Sequence, residues 1–197
     1  MTVHHGTHRS IERPLEHAEL PGAMLTTTAA RALAVLRIST GLVFLWAFLD
    51  KTFGLGYATP AERAWINGGS PTKGFLANVE VGPLQSMAHS IAGTWWANIL
   101  FMVGLAAIGL ALIAGVGLRV AAASGTLMMA LMWLAEFPLA RFTAGGDPTG
   151  STNPVVDYHL IYAVVLVALA AAYGGHTWGL GRLWARLPFV QRHRWML

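Results

Sequence analysis

Four long apolar runs organise this chain. They cover residues 30–49, 95–118, 120–137 and 154–173. Each is close to the roughly 20 residues of helix needed to cross a hydrocarbon core of about 30 Å. In lipid every backbone polar group has to pair within its own segment unless a barrel closes, so the runs are predicted as helices. In the first, beyond Arg31, the polar positions are Arg37, Ser39 and Thr40. Between the second and third stands only Gly115-Val116-Gly117-Leu118-Arg119, which predicts a tight helical hairpin. Ala107, Ala111 and Gly115 make a stripe of small residues where another helix can pack closely.

The 50–94 loop has its own punctuation. Thr59-Pro60-Ala61-Glu62 reads as a capping box with proline at the first helical position, opening a short helix through Trp65. Asn67-Gly68-Gly69-Ser70-Pro71 then breaks it. From Pro83 onward, Leu84, Met87, Ala88 and Ile91 recur at helical spacing, while Gln85, Ser86, His89 and Ser90 face away. That pattern predicts a short amphipathic helix lying as a lid at the outer interface. The reading divides the chain into a polar tail (1–28), a four-helix membrane domain (29–176) and a basic amphipathic tail (177–197).

Composition agrees. Hydrophobic residues make up 55% of the 197, charged residues 11%, and mean hydropathy is +0.53. A soluble domain carries roughly a quarter charged residues. Disorder is excluded on the same ground, and the absence of Cys excludes disulfides and thiolate sites. Thirteen Lys+Arg against nine Asp+Glu raise the question of nucleic acid. The basic residues sit at the ends of apolar runs rather than on a basic face, so nucleic-acid binding is not expected. With four spans both termini share a side, and that side collects Arg9, Arg13, Arg31, Arg37, Arg119, Arg182, Arg186, Arg192 and Arg194. Lys51, Arg63, Lys73 and Arg141 fall on the other. The positive-inside rule then predicts a multi-pass protein of the inner or plasma membrane with both termini cytoplasmic. The first 25 residues, with His4, His5, His8 and His17, lack the apolar core of a signal peptide. The C-terminal RLWARLPFVQRHRWML mixes Arg with Trp and Leu, as a segment on an anionic leaflet does.

Ionisable residues inside so apolar a chain carry the chemical information. Alternating helix directions bring Asp50 and Lys51, Glu136 and Arg141, and Asp157 and His159 with Tyr158 and Tyr162 to one outer level. Together they suit a polar head group and proton exchange with it. Each also has a structural reading. Asn153-Pro154 resembles an N-cap with a first-turn proline, and Asp157 there complements the helix dipole. Asp50 and Lys51 can be interfacial charge, and Glu136 can pair with Arg141 across the proline turn. Arg37 either snorkels to the inner head groups or faces the interior with Thr40, Phe44, Ala47 and Lys51, which share its helix face. Only His159 lies in a span, so a bis-histidine haem is not expected, although His89 could approach it. No metal motif, nucleotide loop or nucleophile elbow is present.

Three stretches resemble the DoxX/DoxD-like membrane proteins: Arg37 to Lys51 (RISTGLVFLWAFLDK), Trp65 to Leu76 (WINGGSPTKGFL), and Asn153-Pro154 with Asp157, His159, Ile161 and Tyr162, followed by Trp178-Gly179-Leu180-Gly181-Arg182. The likeness runs from about Arg31 to Trp184. It implies a four-helix bundle associated with redox partners, and in one branch the small subunit of thiosulfate:quinone oxidoreductase. On that reading a quinone head group sits between Lys51, Asp157 and His159, in a pocket completed by Arg37, Asp50, Glu136, Arg141, Asn153 and Tyr162. The alternative is a non-catalytic scaffold, alone or as a homo-oligomer, that docks a redox enzyme or respiratory complex through Trp65 and Phe75. Small-solute transport is disfavoured, because four unbroken helices without repeats offer little for alternating access.

Overall fold

A computed structural model describes residues 26–197. The N-terminal histidines and most of the predicted 1–28 tail lie outside the described residues. The fold is all-helical, with no strand among the described residues. Three helices are long and apolar enough to cross a membrane: α1 (Thr27–Phe53), α4 (Trp95–Ala114) and α5 (Leu118–Glu136). A shorter apolar helix, α6 (Tyr158–Ala171), follows. The small helices α2 (Lys73–Leu76) and α3 (Gln85–Ile91) sit in the long loop, and α7 (Gly181–Trp184) and α8 (Pro188–Arg192) in the C-terminal tail.

α1 packs along α4 and α5 along α6, with the α4–α5 hairpin joining the pairs. The core is built at helical spacing from Met102, Leu105, Ile108 and Leu112 of α4, against Phe44, Met129, Leu166 and Leu169. Outward-facing residues are apolar too: Leu42, Leu100, Val103, Leu127, Val164 and Val167 are all exposed. A belt of that kind belongs against lipid. Two threonine hydroxyls of α1 are satisfied within the helix. Thr40 Oγ1 donates to Leu36 O at 2.8 Å and Thr52 Oγ1 to Phe48 O at 2.7 Å.

A close helix crossing lies outside the predicted Ala107/Ala111/Gly115 stripe, of which Ala107 is exposed. It is Gly41 against Gly109. A Cβ on Gly109 would meet Leu45 N at 2.8 Å, and one on Gly41 would meet Gly109 O at 3.0 Å. Gly115 serves instead as the left-handed cap of α4 (φ 72°), and with Gly117 (φ 57°) it turns the chain into α5.

The C-terminal end of α4 leaves four carbonyls without helical partners, and all four are satisfied. Ala111 O and Leu112 O accept from Gly115 N, Ala114 O accepts from Leu180 N, and Leu112 O and Ile113 O accept from the Arg37 guanidinium. Arg37 also donates to Trp178 O at 2.9 Å and Thr177 O at 3.3 Å, and is fully buried. Its interior orientation is therefore resolved, with no snorkelling.

Other expectations are corrected. The Thr59–Glu62 capping box does not form, because Pro60 precedes a 3-10 turn without a side-chain cap; two such turns, Ala61–Arg63 and Trp65–Asn67, replace one helix. The break at Gly68-Gly69 is present: Gly68 adopts φ 84°, and a Cβ on Gly69 would lie 1.9 Å from Arg63 O. In α3, Ala88 is buried but Met87 is exposed, so the helix's apolar face is narrower than its sequence pattern. The fourth apolar run is helical only from Tyr158. Asn153 Oδ1 accepts from Val155 N and Val156 N, both at 2.9 Å, which holds 153–156 in a turn. Asp157, not Asn153, is the N-cap and accepts from Leu160 N at 3.1 Å.

Candidate functional site

The polar constellation lies where α5 ends and α6 begins. Asp157 holds two positions at once. Its Oδ1 caps α6, and its Oδ2 accepts from His159 Nδ1 at 2.8 Å. Because Nδ1–H is committed to the carboxylate, a neutral His159 carries its free lone pair on Nε2. That atom is buried and has no hydrogen-bond partner, and the residue is 1% exposed. Tyr158 stacks on the imidazole, ring centroids 4.0 Å apart, and its hydroxyl donates to Glu136 Oε1 at 2.8 Å. Glu136 Oε2 stands 3.8 Å from His159 Nδ1. Glu136, Asp157, His159 and Tyr158 thus form one connected polar unit.

A cavity of about 430 Å³ opens beside this unit, between the 74–81 segment, the end of α5 and the 143–153 loop. Glu136, Asp157, Tyr158 and Asn153 line it, together with Phe75 and Glu80. Ser, Thr and Asn side chains supply donors, and no Lys or Arg is among the lining residues. The donor atoms of Glu136, Asp157 and His159 lie within 4.8 Å of one another, so these three are also the residues that could hold a divalent cation.

The remaining predicted residues are elsewhere. Asp50 is 1% exposed and accepts from Tyr57 N at 3.3 Å and Ala58 N at 3.0 Å, fastening the loop that leaves α1. Lys51 lines a groove along α1 with Trp46 and Ala58. Arg141 lies over the Phe142 ring, 5.7 Å from its centroid, instead of pairing with Glu136. Arg37 is at the opposite end of the bundle. Tyr162 bridges the helices, edge-on to Phe44 at 6.3 Å and to Tyr158 at 6.5 Å. His89 does not reach His159; its Nε2 donates to Val79 O at 2.9 Å.

The Trp65–Leu76 segment is tied down by a residue absent from the sequence-based set. Asn98, buried in the first turn of α4, accepts through Oδ1 from Thr72 Oγ1 at 2.7 Å, Ser70 Oγ at 3.0 Å and Thr72 N at 3.2 Å. An Asn inside an apolar run was the available signal. Trp65 packs against the bundle core, and Phe75 against Val79, Ala88 and Ala135, so neither is a free surface residue; Ile66 is the exposed apolar residue of the segment.

No family model, curated protein or solved structure matches the chain.

Proposed function

We propose that the chain is a DoxX-like, redox-associated membrane subunit that binds a quinone head group at the α5–α6 end. All four apolar helices then cross the membrane of the cell, with both termini cytoplasmic. The sequence likeness between Arg31 and Trp184 supports the family, and one observation carries the site: His159 is buried, oriented by Asp157, and has an uncommitted Nε2. A bound quinone would supply reversible two-electron, two-proton chemistry. Asp157 holds the imidazole in one tautomer and stabilises it when protonated, the part a carboxylate plays behind any catalytic histidine. His159 Nε2 accepts a proton or a hydroxyl hydrogen bond, Glu136 and Tyr158 connect the Nδ1 side of the ring to the cavity, and Asn153 and Phe75 line the approach. Lys51, Arg37, Asp50 and Arg141 have no part in this version of the site.

The test is to purify the protein gently in detergent, extract it for quinone, and assay reduction of a short-chain quinone by thiosulfate. Retained quinone, with turnover that falls at least tenfold in Asp157→Asn, supports the reading. Folded protein that carries its native partners, yet retains no quinone and shows no turnover, overturns it. The docking alternative draws on Asn98, which fixes the 65–76 segment with Ile66 outward. A stoichiometric partner that is lost on Ile66→Asp, with no quinone present, would favour it.

A further inference from the structure

Among the described residues, the side chains charged at pH 7 at the end of the bundle opposite His159 are all basic. The described carboxylates, Asp50, Glu62, Glu80, Glu136, Asp147 and Asp157, all belong to the outer loops or to the helix ends that lead into them. At the other end Arg31 stands in the early turns of α1, Arg119 at the start of α5 and Arg182 in α7. Among the described residues none of these arginines forms an ion pair.

A cavity of about 290 Å³ opens there, between the start of α1 and the exit from α6. Arg31 and Arg182 line it together with Thr27, Thr177 and His176, and Leu33 supplies an apolar wall. Among the described residues its lining contains no carboxylate. Arg119 adds charge next door, donating to Tyr173 OH at 3.0 Å. Burial, and then the neighbouring Arg182, push His176 below the usual imidazole range. The cavity thus presents a concentrated positive field. Exposed Trp178, Leu180 and Leu183 flank it, the residue types that settle at the lipid–water boundary.

We propose that this cavity is a phosphate site, with the guanidinium groups of Arg31 and Arg182 taking the phosphate of an anionic phospholipid head group or a soluble phosphate. Guanidinium forks match phosphate oxygens in pairs, the two threonine hydroxyls add neutral donors, and basic pockets between membrane helices are suited to acidic head groups. The site shares no residue with the quinone reading and stands whether or not that reading holds.

The experiment uses the full chain in phosphatidylcholine nanodiscs, with phosphatidylglycerol or inorganic phosphate as probes. Bound lipid is counted by native mass spectrometry, and the His176 imidazole is titrated by NMR. An anion beside His176 raises its titration midpoint, whereas a purely structural role for the arginines moves nothing. The expected result is at least tenfold preference for phosphatidylglycerol over phosphatidylcholine and an upward His176 midpoint, both lost in the double variant Arg31→Gln/Arg182→Gln. Arg31→Lys/Arg182→Lys should recover part of each. The same midpoint shift with inorganic phosphate and no lipid preference assigns the site to a soluble phosphate. Failure of both probes to move His176, or equal lipid preference in the Gln double variant, overturns the proposal.

Discussion

Arg37 of α1 donates to the carbonyl of Ile113 at 2.9 Å, joining the first long helix to the last turn of α4. The same guanidinium reaches Trp178 O beyond α6, so one side chain gathers three segments that are far apart in sequence. Buried carbonyls left without donors cost about 1–3 kcal/mol each. Arg37→Ala should therefore abolish or severely lower the yield of monodisperse protein in detergent, and Arg37→Lys should recover only part, because an ammonium lacks the planar fork. Size-exclusion profiles of the two variants decide it. Wild-type behaviour of Arg37→Ala would mean that the arginine is dispensable to the fold.

Asp157 separates capping from charge. Asn is as good an N-cap as Asp, so Asp157→Asn should keep α6 intact while loosening the hold on His159. Asp157→Ala should also lose about 1 kcal/mol of stability. A thermal melt compared with quinone retention distinguishes the two. Equal quinone retention in wild type and Asp157→Asn would remove Asp157 from the site.

Asn98→Leu should release the 65–76 segment without unfolding the bundle, since the side chain's partners are Ser70, Thr72 and Gly93. Hydrogen exchange should rise by an order of magnitude or more over those residues and stay unchanged in α5. Unchanged protection at Thr72 would contradict the assigned role.

The Gly41–Gly109 crossing leaves no room for a side chain. Gly109→Leu should destabilise the α1–α4 pair by roughly 1–3 kcal/mol, the usual cost of overpacking a close contact. Ala107→Leu, on an exposed position of the same helix, is the neutral control. Matching melting temperatures for the two variants would rule out the close crossing.

His176 is pushed below its ordinary range in the fold, so the folded chain binds fewer protons there than the unfolded chain. Stability should be complete above the unfolded value near 6.5 and decline as pH falls through it toward the lower folded value. Thermal melts between pH 7.5 and about 5 (a window set by that ordinary value) should show a downward trend that His176→Gln flattens. An identical slope in the variant would show that other groups carry the acid sensitivity.

The apolar runs were legible because lipid-facing and core-facing positions are both hydrophobic, and the Gly115–Gly117 turn because its glycines accept positive φ. Helix ends were less so. Asp157 and Asn153 are both acceptable caps by type, and only the Val155 and Val156 amide contacts decide which begins the helix. The convergence at α5–α6 was readable for Glu136, Asp157 and His159, which flank one connection. The place of Asp50 was not, because equal depth in a membrane does not imply contact. Asp50 found nearer partners in its own loop, at Tyr57 and Ala58.

The brevity of α6 bears on how the buried imidazole meets water. Its 14 residues span about 21 Å, some 9 Å less than a typical hydrocarbon slab. Val155 and Val156 continue the apolar surface in a non-helical conformation, and Trp133 Nε1 donates to Val155 O at 3.0 Å. If α6 crosses the bilayer as proposed, a membrane fitted to α4 must thin beside it or let head groups sink there. The depression would bring bulk protons and lipid-borne ligands to the same rim, so a molecule dissolved in the membrane could reach the α5–α6 end sideways, without ever leaving the leaflet.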